Sequence, residues 1–86
     1  MKMNMNEKIE IAKNIIIQHI AETNPKGAIS IIDESDGFNV WVNTGFMVFV
    51  CYFDGVKGVC DFNDGIHDFR RLVNQLRLVG LKVRRT

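Results

Sequence analysis

No stretch of these 86 residues approaches the roughly 18 consecutive apolar positions that a membrane span requires, so a membrane-embedded protein is not expected. The opening Met-Lys-Met-Asn-Met-Asn-Glu-Lys lacks the apolar centre and small-residue cleavage site of a secretory leader. A cytoplasmic location is therefore expected. Cysteine occurs twice, at Cys51 and Cys60, and in a reducing compartment both are expected as free thiols. Internal repeats, low-complexity tracts and linkers are missing. Proline occurs once, at Pro25. After Asp68 the chain carries no acidic residue at all.

Apolar residues make up 47% and charged residues 24%, a balance that excludes global disorder. A chain of this length makes one domain, residues 1–86, and buries only about 60% of its unfolded surface, so association would add stability. Its most informative segment is Phe46–Phe53, Phe-Met-Val-Phe-Val-Cys-Tyr-Phe, set between Asn43-Thr44-Gly45 and Asp54-Gly55. Turn residues on both sides of a short apolar run indicate a strand. Its lack of polar alternation means both faces need cover. The net charge of +1 conceals an uneven distribution. Residues 33–68 hold seven acids against Lys57 alone, a net of −6, whereas residues 69–86 hold six bases and no acid.

Along the chain, Met5, Ile9, Ala12, Ile16 and Ile20 recur at helical spacing, with Ile11 and Ile15 widening the stripe, which predicts a helix over 5–23. Asn24-Pro25-Lys26-Gly27 ends it. Ala28–Ile32 is a short strand, Asp33–Gly37 a turn, and Phe38–Val42 an alternating strand. A two-residue turn at Thr44-Gly45 would place Asn43 opposite Phe46, Val42 opposite Met47, Val40 opposite Phe49 and Phe38 opposite Cys51. The face expected in the core is then Phe38, Val40, Val42, Met47, Phe49, Cys51 and Phe53. The opposite face would carry Asn39, Trp41, Phe46, Val48, Val50 and Tyr52. The next turn pairs Cys51 with either Cys60 or Gly58, and both registers put Gly58, Cys60 and Phe62 on the core face. Asp64 is a candidate N-cap for a second helix with the stripe Ile66, Phe69, Leu72, Val73, Leu76 and Val79, stopped at Gly80. Residues 81–86 read as a short edge strand or a basic tail. The expected fold is α+β: a helix, a four-stranded antiparallel meander, a helix, and an optional fifth edge strand, with both helices on one sheet face.

Few groupings could carry chemistry. Cys51, Cys60 and His67 have the spacing Cys-x8-Cys-x6-His, which matches no standard zinc module and would need Asp64 or the distant His19 as a fourth ligand. Cys60 and His67 could form a nucleophile pair, but a core-facing strand thiol favours an inert structural role. His19, beside Ile15 and Ile16, reads as a core or boundary residue. Gly55-Val56-Lys57-Gly58 joins strands instead of opening a helix, and the Asp33–Gly37 turn lacks calcium-loop spacing. No catalytic set, metal or cofactor is expected. Arg70, Arg71, Arg77, Lys82, Arg84 and Arg85 could contact phosphates, though acids early and bases late in a helix also offset its dipole.

The order helix, three strands, helix resembles the double-stranded-RNA-binding domain, with Asn63-Asp64-Gly65-Ile66-His67-Asp68 where that domain has a lysine-rich helix start. A four-stranded meander followed by a helix also resembles dimeric single-strand-binding coactivator domains. Small size and an Asn- and Ile-rich composition resemble the small modulators encoded by phages and mobile elements. The residues themselves favour a non-enzymatic protein-binding module, a homodimer of the modulator or inhibitor kind. Its interface would be Trp41, Phe46, Val48, Val50 and Tyr52, because an uncovered apolar sheet face suits a protein. The alternative is a nucleic-acid binder using the six C-terminal bases.

Overall fold

The computed structural model describes residues 3–85. Helix α1 runs Met5–Thr23, followed by strands β1 (Ala28–Glu34), β2 (Gly37–Asn43), β3 (Met47–Asp54) and β4 (Val59–Phe62). Helix α2 (Phe69–Leu78) and strand β5 (Lys82–Arg85) complete the chain. The five strands form one sheet in the order β1-β2-β3-β4-β5. The C-terminal segment thus resolves to a strand over Lys82–Arg85, while Thr86 lies outside the described residues.

Helix α1 begins where local chemistry says it should. The Asn4 side chain accepts from the Glu7 amide at 2.8 Å, and the Glu7 carboxylate accepts from the Asn4 amide, a reciprocal cap. Its buried stripe is Ala12, Ile16, His19 and Ile20. The start of α2 differs from expectation. Asp64 does not cap it; it receives Arg85 Nε at 3.1 Å instead. The helix starts four residues later, behind Asp68 in the left-handed region at φ 53°, with no side-chain cap bond. Gly65 at φ 86° breaks the helical path, and the His67 carbonyl is taken by His19 across the molecule at 2.8 Å. A tertiary contact here overrides local propensity. The stop follows expectation: the Gly80 amide donates to Arg77 and the Leu81 amide to Leu76, with Gly80 at φ 85°. That is a Schellman closure, which uses glycine's tolerance of positive φ.

β1 to β4 pair antiparallel, but β5 runs parallel to β4. A parallel neighbour needs a crossover, and α2 is that crossover. Both helices pack on one sheet face. Ala12, Ile16 and Ile20 of α1 and Leu72 and Leu76 of α2 share a single core with Phe38, Val40, Phe53, Cys60 and Phe62. At Gly37 a side chain is impossible, because a Cβ would overlap the Phe53 carbonyl oxygen.

The β2–β3 register corrects the sequence expectation. The loop is Thr44-Gly45-Phe46, three residues, so Asn43 faces Met47, Val42 faces Val48 and Trp41 faces Phe49. The Asn43 side chain accepts from the Gly45 amide at 3.0 Å, turning the chain one residue later than a two-residue turn would. One extra loop residue inverts every side chain that follows. A bulge then adds Val50 to β3, and beyond it Val40 faces Cys51 and Phe38 faces Phe53. Inversion is thereby cancelled. Met47 and Phe49 consequently leave the core face, and Val48 and Val50 enter it. Asn63 holds the bulge, its amide donating to the Val50 carbonyl at 2.9 Å and its Nδ2 to the Phe49 carbonyl at 3.3 Å.

The β3–β4 loop is Gly55–Gly58, four residues, so Cys51 lies opposite Phe62 and Phe53 opposite Cys60, not in either expected register. Asp54 Oδ1 accepts from the Val56 and Lys57 amides, and the Asp54 carbonyl accepts from Gly58. Because this loop grew by two residues, Cys60 and Phe62 keep the inward orientation expected of them.

Candidate functional site: the open sheet face

The register fixes which residues look away from the helices. β1 contributes Ser30 and Ile32, β2 contributes Asn39 and Trp41, β3 contributes Met47, Phe49 and Tyr52, and β4 and β5 contribute Asp61 and Arg84. Trp41 and Phe49 stack edge to face, ring centroids 5.2 Å apart, at the centre of this surface. Ile32 is 53% exposed and Met47 49%. Of the five interface residues expected from sequence, Trp41 and Tyr52 stand here. Phe46 caps the hairpin tip at 71% exposure. Val50 is buried and Val48 packs against the core, so neither is available on this face. Phe49 and Met47 were missed because one unseen loop residue hid their orientation, and Ile32 because the sequence reading gave β1 no pairing partner.

Charge frames the apolar centre. Glu34, Asp36 and Asp54 lie near the Tyr52 hydroxyl: burial first, then these three carboxylates, raise its pKa above the usual 10.0. Tyr52 therefore stays a hydrogen-bond donor beside an acidic rim. On its other side Arg84 clasps Asp61 bidentately, Nε to Oδ1 and Nη2 to Oδ2, both at 2.9 Å. That double bond and the Asp61 charge hold the guanidinium above its ordinary pKa.

The basic C-terminal block is largely folded onto the acidic one. Arg84 pairs with Asp61, Arg85 with Asp64, and Arg71 with both Asp68 and Glu22. Arg85 also lies over the Phe69 ring at 4.8 Å. Of the six bases, Arg70, Arg77 and Lys82 have no ion pair among the described residues. Arg70 and Arg77 line a shallow groove of about 460 Å³ with Phe69, Val73, Asn74 and Arg85.

The cysteine and histidine candidates do not assemble. Cys51 and Cys60 are free and fully buried, and His67 is exposed on the surface loop. Burial, then the neighbouring Cys60, pushes the Cys51 thiol up; burial, then Asp61, pushes Cys60 from 9.0 up to about 12. Nucleophilic thiols need the opposite shift. His19 is buried, and Nε2 must carry the proton because it faces the His67 carbonyl. Nδ1 then accepts from Arg71 at 3.5 Å, which ties α1 to α2. Among the described residues no group of three or more His, Cys, Asp or Glu is arranged to hold a metal ion. A half-open cleft beside the bulge measures about 130 Å³, between Ile20, Val42, Val48, Val50 and Ile66. Small-molecule sites run from about 300 Å³ upward, so this cleft is too small for one. No described helix is long and apolar enough to cross a membrane. No family model, curated protein or solved structure matches the chain.

Proposed function

We propose that this chain is a non-enzymatic protein-binding module, of the modulator or inhibitor kind, that acts by laying its open sheet face on a larger protein. The observation that carries this reading is the grouping of Ile32, Trp41, Phe49, Met47 and Tyr52, centred on the Trp41–Phe49 pair, on the face opposite both helices. Contiguous exposed apolar surface of this kind marks an interaction site, and aromatic side chains anchor such interfaces. The acidic rim of Glu34, Asp36 and Asp54 specifies the partner further. It suits an apolar patch flanked by Lys or Arg, and would repel nucleic acid from the same side. The ion-paired state of Arg71, Arg84 and Arg85 weighs in the same direction, since paired guanidiniums have less to offer phosphate.

The test is capture from the native host with wild-type chain and with a folded Trp41→Ala/Phe49→Ala variant. Wild type should retain a specific protein that the variant loses, while Arg70→Ala/Arg77→Ala still retains it. Equal retention by the aromatic variant defeats the reading. Micromolar binding of DNA or RNA at low salt, abolished by Arg70→Ala/Arg77→Ala, would put the nucleic-acid alternative in its place.

A further inference from the structure

The arginines of α2 are not all used by the fold. Arg71 is engaged twice, by Asp68 and by Glu22. Arg70 and Arg77 have no ion pair among the described residues. Helix stability gives no reason for Arg70. It stands in the first turn of α2, which contains no acid and has no side-chain cap bond. A cation there opposes the helix dipole, whereas Arg77 in the last turn suits it. Arg70 and Arg77 are seven residues apart in one helix, so both lie on the same face, about 10 Å apart along the axis. Asn74 lies between them. These three line the groove of about 460 Å³ with Phe69, Val73 and Arg85. A second depression, of about 420 Å³, shares Asn74 and Arg77 and continues to Leu78, the most exposed large hydrophobic residue among those described, at 85%.

We propose that this surface binds an acidic segment of a protein, with carboxylates on Arg70 and Arg77 and an apolar side chain on Leu78. Charge complementarity carries the assignment. After Asp68 the chain has no acid to offer these guanidiniums, and the uncapped start of α2 adds to their positive potential. A carboxylate is the natural mate of a guanidinium, which it can accept from bidentately. Leu78 decides the class of partner. It offers an apolar side chain somewhere to bury, a contact that a phosphate backbone does not use. A longer polyanion would also run off the groove, towards Asp68 at the head of α2 and Asp64 beside Arg85, whose carboxylates repel it. The groove belongs to the helix layer, on the opposite side of the sheet from the open face, and its charge preference is the reverse. This inference does not depend on what binds the open face.

Fluorescence anisotropy of labelled probes against the whole chain at low ionic strength tests it. One probe is a peptide of three Glu-Glu-Leu repeats. A second has serine in place of each leucine, and a third is oligothymidylate of the same net charge. Wild type should bind the leucine peptide at micromolar concentration and the other two several-fold more weakly. Arg70→Ala/Arg77→Ala changes two exposed side chains and should weaken the leucine peptide about tenfold. Leu78→Ser should erase the preference for leucine over serine, and Trp41→Ala/Phe49→Ala should bind as wild type does. No binding by wild type overturns the proposal, as does undiminished binding by the arginine variant or equal binding of the two peptides. Tighter binding of oligothymidylate, lost with the two arginines, overturns it in favour of a nucleic acid.

Discussion

Alternate residues of the same strands make both faces of this sheet, yet the two faces have different fates. The inner one presents Phe38, Val40, Phe53 and Phe62, all fully buried under α1 and α2. The outer one is nearly as apolar at its centre but keeps Trp41, Phe49 and Tyr52 only half-buried, with Ile32 and Met47 open. Hydrophobicity alone does not separate them. What separates them is the supply of amphipathic helices: the chain has two, and both are committed to one side. The apolar surface left over after folding is the one we propose for binding, and the acidic residues around Tyr52 rim it.

The contrast is sharpest at neighbouring residues of β3. Val50→Asp would bury an unpaired carboxylate, at a cost of several kcal/mol against a total stability of about 5–15 kcal/mol. Loss of cooperative thermal unfolding is expected. Phe49→Asp, one position away, should leave a folded chain, losing mainly the edge-to-face contact with Trp41, worth about 1 kcal/mol. Circular dichroism melts of the two variants make the comparison, and it breaks if Phe49→Asp is the one that unfolds.

A smaller effect appears with pH. Both inner-face thiols hold their protons well above the ordinary 9.0, Cys60 to about 12. Protons bound more tightly in the folded chain mean full stability below about pH 9 and progressive loss above it, up to about 1.4 kcal/mol per pH unit for each thiol. Melting temperatures measured between about pH 8 and about pH 10 should fall more steeply for wild type than for Cys51→Ala/Cys60→Ala. Parallel slopes would mean that the thiols do not titrate with unfolding. The smallest effect belongs to the outer rim, where Arg84→Gln removes an exposed pair with Asp61. Unfolding midpoints should barely move, while binding through the open face should change its salt dependence.

How much of this was legible in the residues depended on the parity of errors in loop length. Helix α1 was readable to its ends from local signals, the apolar spacing that begins at Met5 and the stop at Asn24-Pro25, and the structure adds the Asn4–Glu7 cap. The β3–β4 loop was underestimated by two residues, and Cys60 and Phe62 still faced inward as expected. The β2–β3 loop was underestimated by one, which reversed Val48 against Met47 and Val50 against Phe49. The bulge that repaired the parity depends on Asn63, thirteen residues after Val50, and no local pattern reveals such a bond. The start of α2 was missed for the same reason, since His19 holds the His67 carbonyl from 48 residues away. Local chemistry was readable; distant hydrogen bonds were not. The charge blocks were read correctly as opposite in sign, but only the fold shows that they neutralise each other through Asp61–Arg84 and Asp64–Arg85.

The parallel docking of β5 also sets an order of events. β1 to β4 are joined by short hairpin loops, so their pairing involves contacts close in sequence and can proceed quickly. β5 has no such route. Its amide at Lys82 reaches the Gly58 carbonyl only after α2 has formed and carried the chain back across the sheet. Of the five strands β5 is therefore the last to join, and by the same logic the first to detach. Between detachment and return, β4 becomes a temporary edge, and the buried Leu81 and half-buried Val83 are exposed. The ion pairs of Arg84 with Asp61 and Arg85 with Asp64 oppose that detachment, acting as a latch while β5 is docked.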